Sequence, residues 1–279
     1  MTTHNWINVN EEEVKQEVET QVRKYLELNG NVFGWYILPD ELRPWRKNEL
    51  DFLKIVSKKI HEFDRHPIIT YSPFNRDCHG LLNLANNGLD FIGKNAYLLF
   101  ESKEDRLKII ESMKSSQEAF SLFKNEGKTT ETTRVGIYLH LAMDPTIESE
   151  DSLIGSLARH DIFLSVTWGA QFIIIWSLFK RVSVRRTYDK QYKAYVDSMK
   201  EINDTLINFR EKTFTLADIF LNFPKKIELK EKITLAEYSI DSSLKLEVKI
   251  NSSNLQQALD DVTLEPFQVK YNFVDLTSS

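Results

Sequence analysis

The most regular pattern of apolar and polar positions lies near the middle of the chain, where apolar residues recur at alternating steps of four and three. These residues are Tyr188, Tyr192, Tyr195, Met199, Ile202, Leu206 and Phe209. Such spacing places side chains on one narrow edge of a helix, as in a coiled coil or an antiparallel helix pair. The pattern predicts a long helix that presents this edge either to another chain or to helices of its own.

The first half of the chain mixes helical and strand patterns. Helical spacing predicts amphipathic helices over 14–26 and 50–63, and alternation predicts short strands at 67–71 and 135–139. A further helix is predicted to begin at Ser102, a residue type that caps helix N-termini well.

A hairpin is predicted just before that helix. The apolar runs 89–92 and 96–100 flank Gly93, Lys94 and Asn95. Because Gly and Asn accept the positive φ angles of a tight turn, we expect the two runs to pair as neighbouring strands.

Segment 162–179 is nearly uncharged and is followed by Lys180 and Arg181. Its length would barely cross a bilayer, so one interpretation is a single membrane anchor. The alternatives are a buried helix, or two core strands that turn near Gly169.

The C-terminal part reads as antiparallel strands. Apolar and polar residues alternate over 227–235, 244–250 and 267–273, which is typical of strands buried on one face.

Together the patterns predict an α+β protein with a mixed sheet and packed helices, a long central helix and a C-terminal antiparallel β unit. The predicted domains are a mixed α/β domain over 1–145, a helical segment over 146–223 and an antiparallel β module over 224–279.

Composition narrows the function classes. The 279 residues include 36 basic and 41 acidic side chains, and this net charge of -5 disfavours a nucleic-acid-coating protein. A single cysteine, Cys78, excludes an internal disulfide and a thiolate zinc cage, and it suits a reducing compartment. Since the N-terminus lacks a secretory pattern, we expect a cytoplasmic protein that does not bind membranes.

The strongest catalytic constellation is Asp90, Glu101 and Lys103. In the predicted hairpin Asp90 lies on one strand, while Glu101 and Lys103 share one face of the next strand. Asp90 and Glu101 would then hold Mg²⁺ or Mn²⁺, which polarises a phosphodiester, and the Lys103 ammonium would stabilise developing negative charge.

With its flanking helices and strand, this arrangement resembles the PD-(D/E)xK nuclease superfamily over residues 48–143. The resemblance implies a divalent-metal-dependent nuclease that cleaves phosphodiesters. It also implies that Glu49 or Glu62 of the upstream helix supplies a further carboxylate.

Two positions depart from the family's pattern. Ser102 replaces the usual apolar residue between Glu101 and Lys103, and Leu89 stands where proline is common. The alternative interpretation is that Ser102 caps a helix whose dipole favours the nearby acidic side chains.

The histidines give no metal motif. His61 and His66 are five positions apart, which places them on different faces of a helix and excludes the HExxH zinc motif. His140 and His160 are candidates for acid–base catalysis, with a hydrogen-bonded structural role as the alternative.

These observations favour a non-enzymatic interaction or assembly protein, oligomeric in form, that acts through the helix over 188–209 and the C-terminal sheet. We expect its partner to be another protein or a second copy of the chain, and we expect no cofactor. The alternatives are the metal-dependent nuclease and an effector tethered to a membrane by 162–179.

Overall fold

A computed structural model describes residues 10–28, 32–37, 42–70, 77–97, 106–127, 133–140, 151–176, 185–209, 212–259 and 262–277. Helices and strands alternate along the chain as far as residue 204, and strands predominate afterwards. The helices are α1 (Glu11–Glu27), α2 (Lys47–His61), α3 (Cys78–Asn86), α4 (Lys108–Asn125), α5 (Asp151–Thr167), α6 (Arg185–Asp204) and α7 (Leu216–Phe220). The strands are β1 (Trp35–Tyr36), β2 (Ile68–Ile69), β3 (Phe91–Ala96), β4 (Arg134–His140), β5 (Phe172–Trp176), β6 (Leu206–Phe209), β7 (Lys212–Thr215), β8 (Lys226–Lys230), β9 (Ile233–Ser239), β10 (Leu244–Asn251), β11 (Gln257–Leu259), β12 (Val262–Leu264) and β13 (Val269–Asp275).

The chain divides into two compact units. The first unit comprises Met1–Lys94 with Ser115–Gly136, and the second comprises Asn95–Lys114 with Ile137–Ser279. The α+β class is confirmed, as is an antiparallel sheet near the C-terminus.

In the first unit, α1 packs along α2 beside the short parallel pair β1 and β2. Asn10 caps α1 by accepting a hydrogen bond from the Glu12 N–H at 3.0 Å, and three glutamates fill the first turn, where the helix dipole favours negative charge. Val22 of α1, Leu53 of α2 and Ile68 of β2 meet in the core. The predicted helices over 14–26 and 50–63 are therefore confirmed.

The predicted hairpin is wrong. β3 runs without interruption through Gly93, Lys94 and Asn95, and its neighbour in the sheet is β4. The Arg134 N–H, at the start of β4, donates to the Asp90 carbonyl at 2.9 Å, so the two strands begin at the same edge and run parallel. Gly93 does not adopt a positive φ angle, so the turn that the Gly and Asn suggest is not made.

The second unit ends in the sheet β13-β10-β9-β8, which is antiparallel throughout. Its alternate residues face inward, and Leu246 pairs with Tyr238 on one side and Phe273 on the other. Among the described residues, these join the largest hydrophobic core, which also includes Phe163 of α5 and Tyr195 of α6.

The central helix is shorter than predicted. α6 ends at Asp204, and Leu206 and Phe209 lie on β6, which pairs with β7 in a two-stranded sheet. The steps of four and three continue past the helix end because Leu206 and Phe209 of β6 fall at the same sequence spacing, so the spacing alone does not mark the change.

The described part of segment 162–179, residues 162–176, is divided between two elements. Its first residues complete α5, Gly169 makes a turn with a φ of 94°, and β5 follows. Within the part of the chain that the structure describes, no helix is long and apolar enough to cross a membrane.

We expect Gly88→Ala to destabilise the first unit by about 2–3 kcal/mol, because an added methyl strains a positive φ and overpacks its surroundings. Gly88 follows α3 with a φ of 106°, and a Cβ there would lie 2.5 Å from the Ser57 Cβ. Urea denaturation followed by circular dichroism measures the change.

Gly155→Ala is the matched control. Gly155 lies inside α5, and among the described residues no atom beyond its own helix lies within 4 Å of the position that a Cβ would occupy. We therefore expect this change to stabilise the protein by roughly 0.5–1 kcal/mol. Equal effects of the two substitutions would contradict the turn at Gly88.

Candidate functional site

The structure places one member of the predicted nuclease constellation. Asp90 is buried just before β3, where its Oδ2 accepts the Ile68 N–H at 2.7 Å and lies 3.5 Å from the His61 Nε2. The hydrogen bond with Asp90 raises the pKa of His61. Glu101 and Lys103 lie outside the described residues. The Asp90 carboxylate therefore joins β2 to the start of β3 and contacts the His61 ring, which is a structural arrangement.

The two candidate additional carboxylates are also engaged. Glu49 is buried on α2 and accepts hydrogen bonds from the Arg43 backbone N–H, at 2.6 Å, and from the Arg43 guanidinium. Glu62 pairs with Lys59 at 2.9 Å. Among the residues described, no cluster of three or more His, Cys, Asp or Glu side chains is arranged to hold a metal ion.

The predicted interaction edge of α6 turns largely inward. Tyr195 is 1% exposed and Ile202 is buried, and both belong to the core of the second unit together with residues of α5. Met199 packs against the same core, while Tyr192 remains 39% exposed. The side chains of Tyr188 and Phe209 lie outside the described part, and Leu206 is exposed on β6. The middle of the edge is therefore covered by the chain itself.

A fully buried polar network crosses the second unit at this point. Asp161 of α5 pairs through Oδ2 with the Arg106 guanidinium at 3.1 Å and accepts the Tyr195 hydroxyl at 3.3 Å. Its Oδ1 lies 2.9 Å from the Nδ1 of His160, whose Nε2 lies 2.9 Å from the Ser252 hydroxyl.

The partners of His160 fix its protonation. A carboxylate only accepts hydrogen bonds, so Nδ1 carries the hydrogen and Nε2 accepts from the hydroxyl of Ser252. Burial lowers the pKa of His160, which keeps the ring neutral, and burial raises the pKa of Tyr195 well above its ordinary value. The network thus contains one cation, Arg106, and one anion, Asp161.

Ser252, His160 and Asp161 follow the hydrogen-bond order of a hydrolytic triad. Each of the three is at most 3% exposed, however, and the Phe267 ring packs against the imidazole in a T-shaped arrangement at a centroid distance of 5.7 Å. Because a substrate cannot reach a hydroxyl that is buried in this way, Ser252 is not placed to act as a nucleophile. This geometry supports a hydrogen-bonded structural role for His160 over acid–base catalysis.

The first unit contains an apolar groove of about 560 Å³ between α1, α2 and β1, which we call the α1–α2 groove. Its volume lies within the range of known ligand clefts, about 300–1,000 Å³. The described lining residues are Glu13, Val14, Glu17, Val18, Gln21, Val22, Tyr25, Trp35, Tyr36, Ile37, Phe52, Val56 and Ile60.

Helical spacing builds two walls of the α1–α2 groove. Val14 and Val18 stand one turn apart on α1, and Phe52, Val56 and Ile60 do so on α2. Val14 and Val18 are only partly buried, so the apolar face of α1 is incompletely covered by the core beneath it.

Aromatic side chains of the β1 region form the third wall. Trp35 is held in place because its indole N–H donates to Asp64 Oδ2 at 2.7 Å, and the Asp64 carboxylate also bonds to His66. Tyr25 meets Trp35 edge to face at a centroid distance of 6.3 Å. Tyr25 is 52% exposed and Tyr36 is 38% exposed, so apolar surface continues beyond the groove.

The sequence predicts both helices of this site but not the groove between them. The sequence feature that could have indicated the groove is the aromatic pair Trp35 and Tyr36 in the connection between two amphipathic helices. The valine stripe of α1 is indistinguishable in sequence from a stripe that is fully packed, because only the tertiary arrangement decides how much of it is covered.

No model of a known protein family matches the chain, and no curated protein is significantly similar to it.

We expect acid to destabilise the second unit through His160. Since its folded pKa is lowered, the unfolded chain binds more protons below the ordinary value near 6.5, and the free energy of unfolding falls as the pH drops through that value. Urea denaturation at about pH 7.5, 6.5 and 5.5 measures this slope. His160→Gln should flatten it. An unaltered slope in His160→Gln would contradict the buried neutral ring.

We expect Arg106→Met to cost about 3–5 kcal/mol of stability, because it leaves the Asp161 carboxylate buried without its cation. Adding Asp161→Asn should recover part of this loss. Lys193→Met removes the cation of the exposed pair with Asp197 and should cost at most about 1 kcal/mol. Equal losses for Arg106→Met and Lys193→Met in chemical denaturation would refute the burial of the ion pair.

Proposed function

We propose that the chain is a non-enzymatic protein-interaction protein that binds a partner protein in the α1–α2 groove. The observation that carries the proposal is the incompletely covered apolar face of α1, which forms one wall of a 560 Å³ cleft. Apolar surface in such a cleft gains free energy when a partner removes it from water.

The exposure of the groove margin favours a polypeptide over an enclosed small molecule. Tyr25 and Tyr36 both line the groove and both retain substantial exposed area. A small ligand held within the cleft would leave these rings in water, whereas a protein surface would cover them as well. Tyr and Trp are also the residue types that most often dominate binding energy at protein interfaces.

The walls are positioned well enough for selective binding. α1 and α2 pack against each other, and the Trp35 ring is fixed by its hydrogen bond to Asp64. A preformed site loses little conformational entropy when a partner binds, which leaves more of the apolar burial as affinity.

The edge of α6 is not part of this proposal, because Tyr195 and Ile202 are buried by the second unit. Assembly through that edge would require α6 to leave its own core. The nuclease alternative has no comparable support among the residues described, since the Asp90 carboxylate already bonds to the Ile68 N–H and to His61.

Site-specific photo-cross-linking in the native cell tests the proposal. We expect p-benzoylphenylalanine at Tyr36 to form a discrete protein adduct, because that side chain lies at the groove margin. The same group at Gln16, exposed on the opposite face of α1, should form no such adduct.

Tyr25→Asp provides the disrupting variant, because it places a charge on the groove wall at a side chain that is already half exposed. It should remove the Tyr36 adduct while leaving the circular dichroism spectrum unchanged. An adduct of equal yield from both positions, or no adduct from Tyr36, would refute binding in the α1–α2 groove.

A further inference from the structure

We infer that the segment bound in the α1–α2 groove is an amphipathic helix with an apolar face and Lys or Arg along its flank. This inference rests on the proposed function and specifies the partner of the same site. It follows from the shape of the walls and from the charge of the rim.

The shape of the groove matches a helix. The lining residues of α1 extend from Glu13 to Tyr25, about 18 Å at a rise of about 1.5 Å per residue. Along α2, Phe52, Val56 and Ile60 form a ridge at steps of four. Two such ridges accept a third helix of about three turns by the packing of ridges into grooves, with apolar side chains of the incoming helix at steps of three and four.

The charge of the rim is negative. Glu13 and Glu17 stand one turn apart on the groove side of α1, and they are the charged residues of its described lining. The Glu13 carboxylate accepts the Asn10 side-chain N–H at 3.4 Å, and the Glu17 carboxylate accepts that of Gln21 at 2.7 Å. Neither bond supplies a positive charge.

Other glutamates of the same helix already have cations. Glu11 and Glu12 pair with Lys15, and Glu19 pairs with Arg23 and Lys59. Within the described ranges, Glu13 and Glu17 form no ion pair. Two carboxylates without cations beside an apolar cleft select a partner whose apolar face is flanked by basic side chains, and they repel an acidic one.

Isothermal titration of the full chain with three synthetic peptides tests this inference. The first is a helical peptide of about 14 residues with Leu on one face and Lys elsewhere, the second replaces every Lys with Glu, and the third scrambles the first so that its apolar residues lose helical spacing. We expect the Lys peptide to bind at least about fivefold more tightly than either other peptide at low salt, with the preference over the Glu peptide reduced at high salt.

Charge-reversal variants separate the effect of the two groove carboxylates from the effect of the net charge of the chain. Glu13→Lys with Glu17→Lys should reverse the preference, so that the Glu peptide binds more tightly. Glu12→Lys with Glu27→Lys changes the net charge equally at exposed positions outside the groove lining and should preserve the preference. The same loss of preference in both double variants would overturn the inference.

The outcomes also distinguish the two proposals. If the Glu or scrambled peptide binds as tightly as the Lys peptide, and Tyr25→Asp weakens that binding, the groove binds polypeptides but the basic amphipathic helix is wrong. If Tyr25→Asp leaves the binding of every peptide unchanged, both the basic amphipathic helix and the proposed function of the groove are wrong.

Discussion

The apolar face of an amphipathic helix has to be covered, and the two units of this chain meet that constraint to different extents. In the second unit, α6 buries Tyr195 and Ile202 against α5 and the C-terminal sheet, within one large core. In the first unit, α1 buries Val22 but leaves Val14 and Val18 only partly covered. The α1–α2 groove is the result of this incomplete covering, and the functional interpretation depends on it.

The polar interior of the second unit is balanced in charge, which explains why it can be buried. Arg106 compensates Asp161, and His160 satisfies both of its ring nitrogens with Asp161 and Ser252 while remaining neutral. Such a network tolerates the absence of water because its charges are paired and both ring nitrogens of His160 have partners. Because the network is buried, the triad-like order of Ser252, His160 and Asp161 does not form an accessible active site.

Local patterns were sufficient to predict part of the fold. The apolar periodicity of α1 and α2 depends on residues close in sequence, and the alternation in β9, β10 and β13 indicates a sheet with one buried face. The turn at Gly93 was predicted wrongly because glycine permits a turn without requiring one, and pairing with the distant β4 kept the chain extended. The end of α6 was missed because β6 continues its apolar spacing.

The candidate site was harder to predict than the fold. Residues 13–25, 35–37 and 52–60 are brought together only by tertiary packing, and no local pattern shows that the face of α1 stays partly open. The Asp90 carboxylate likewise looked available in sequence, but it accepts the Ile68 N–H across a separation that sequence patterns do not reveal. Which apolar or acidic side chains remain available is decided by the residues that pack against them.

Chemical-shift mapping of the backbone amides, with and without the Lys-flanked peptide, tests the central claim most directly. Binding in the α1–α2 groove predicts that the largest changes fall on α1, β1 and α2, with Val18, Tyr36 and Val56 among them. Largest changes around Tyr192 of α6, or on the strands of the C-terminal sheet, would contradict the account.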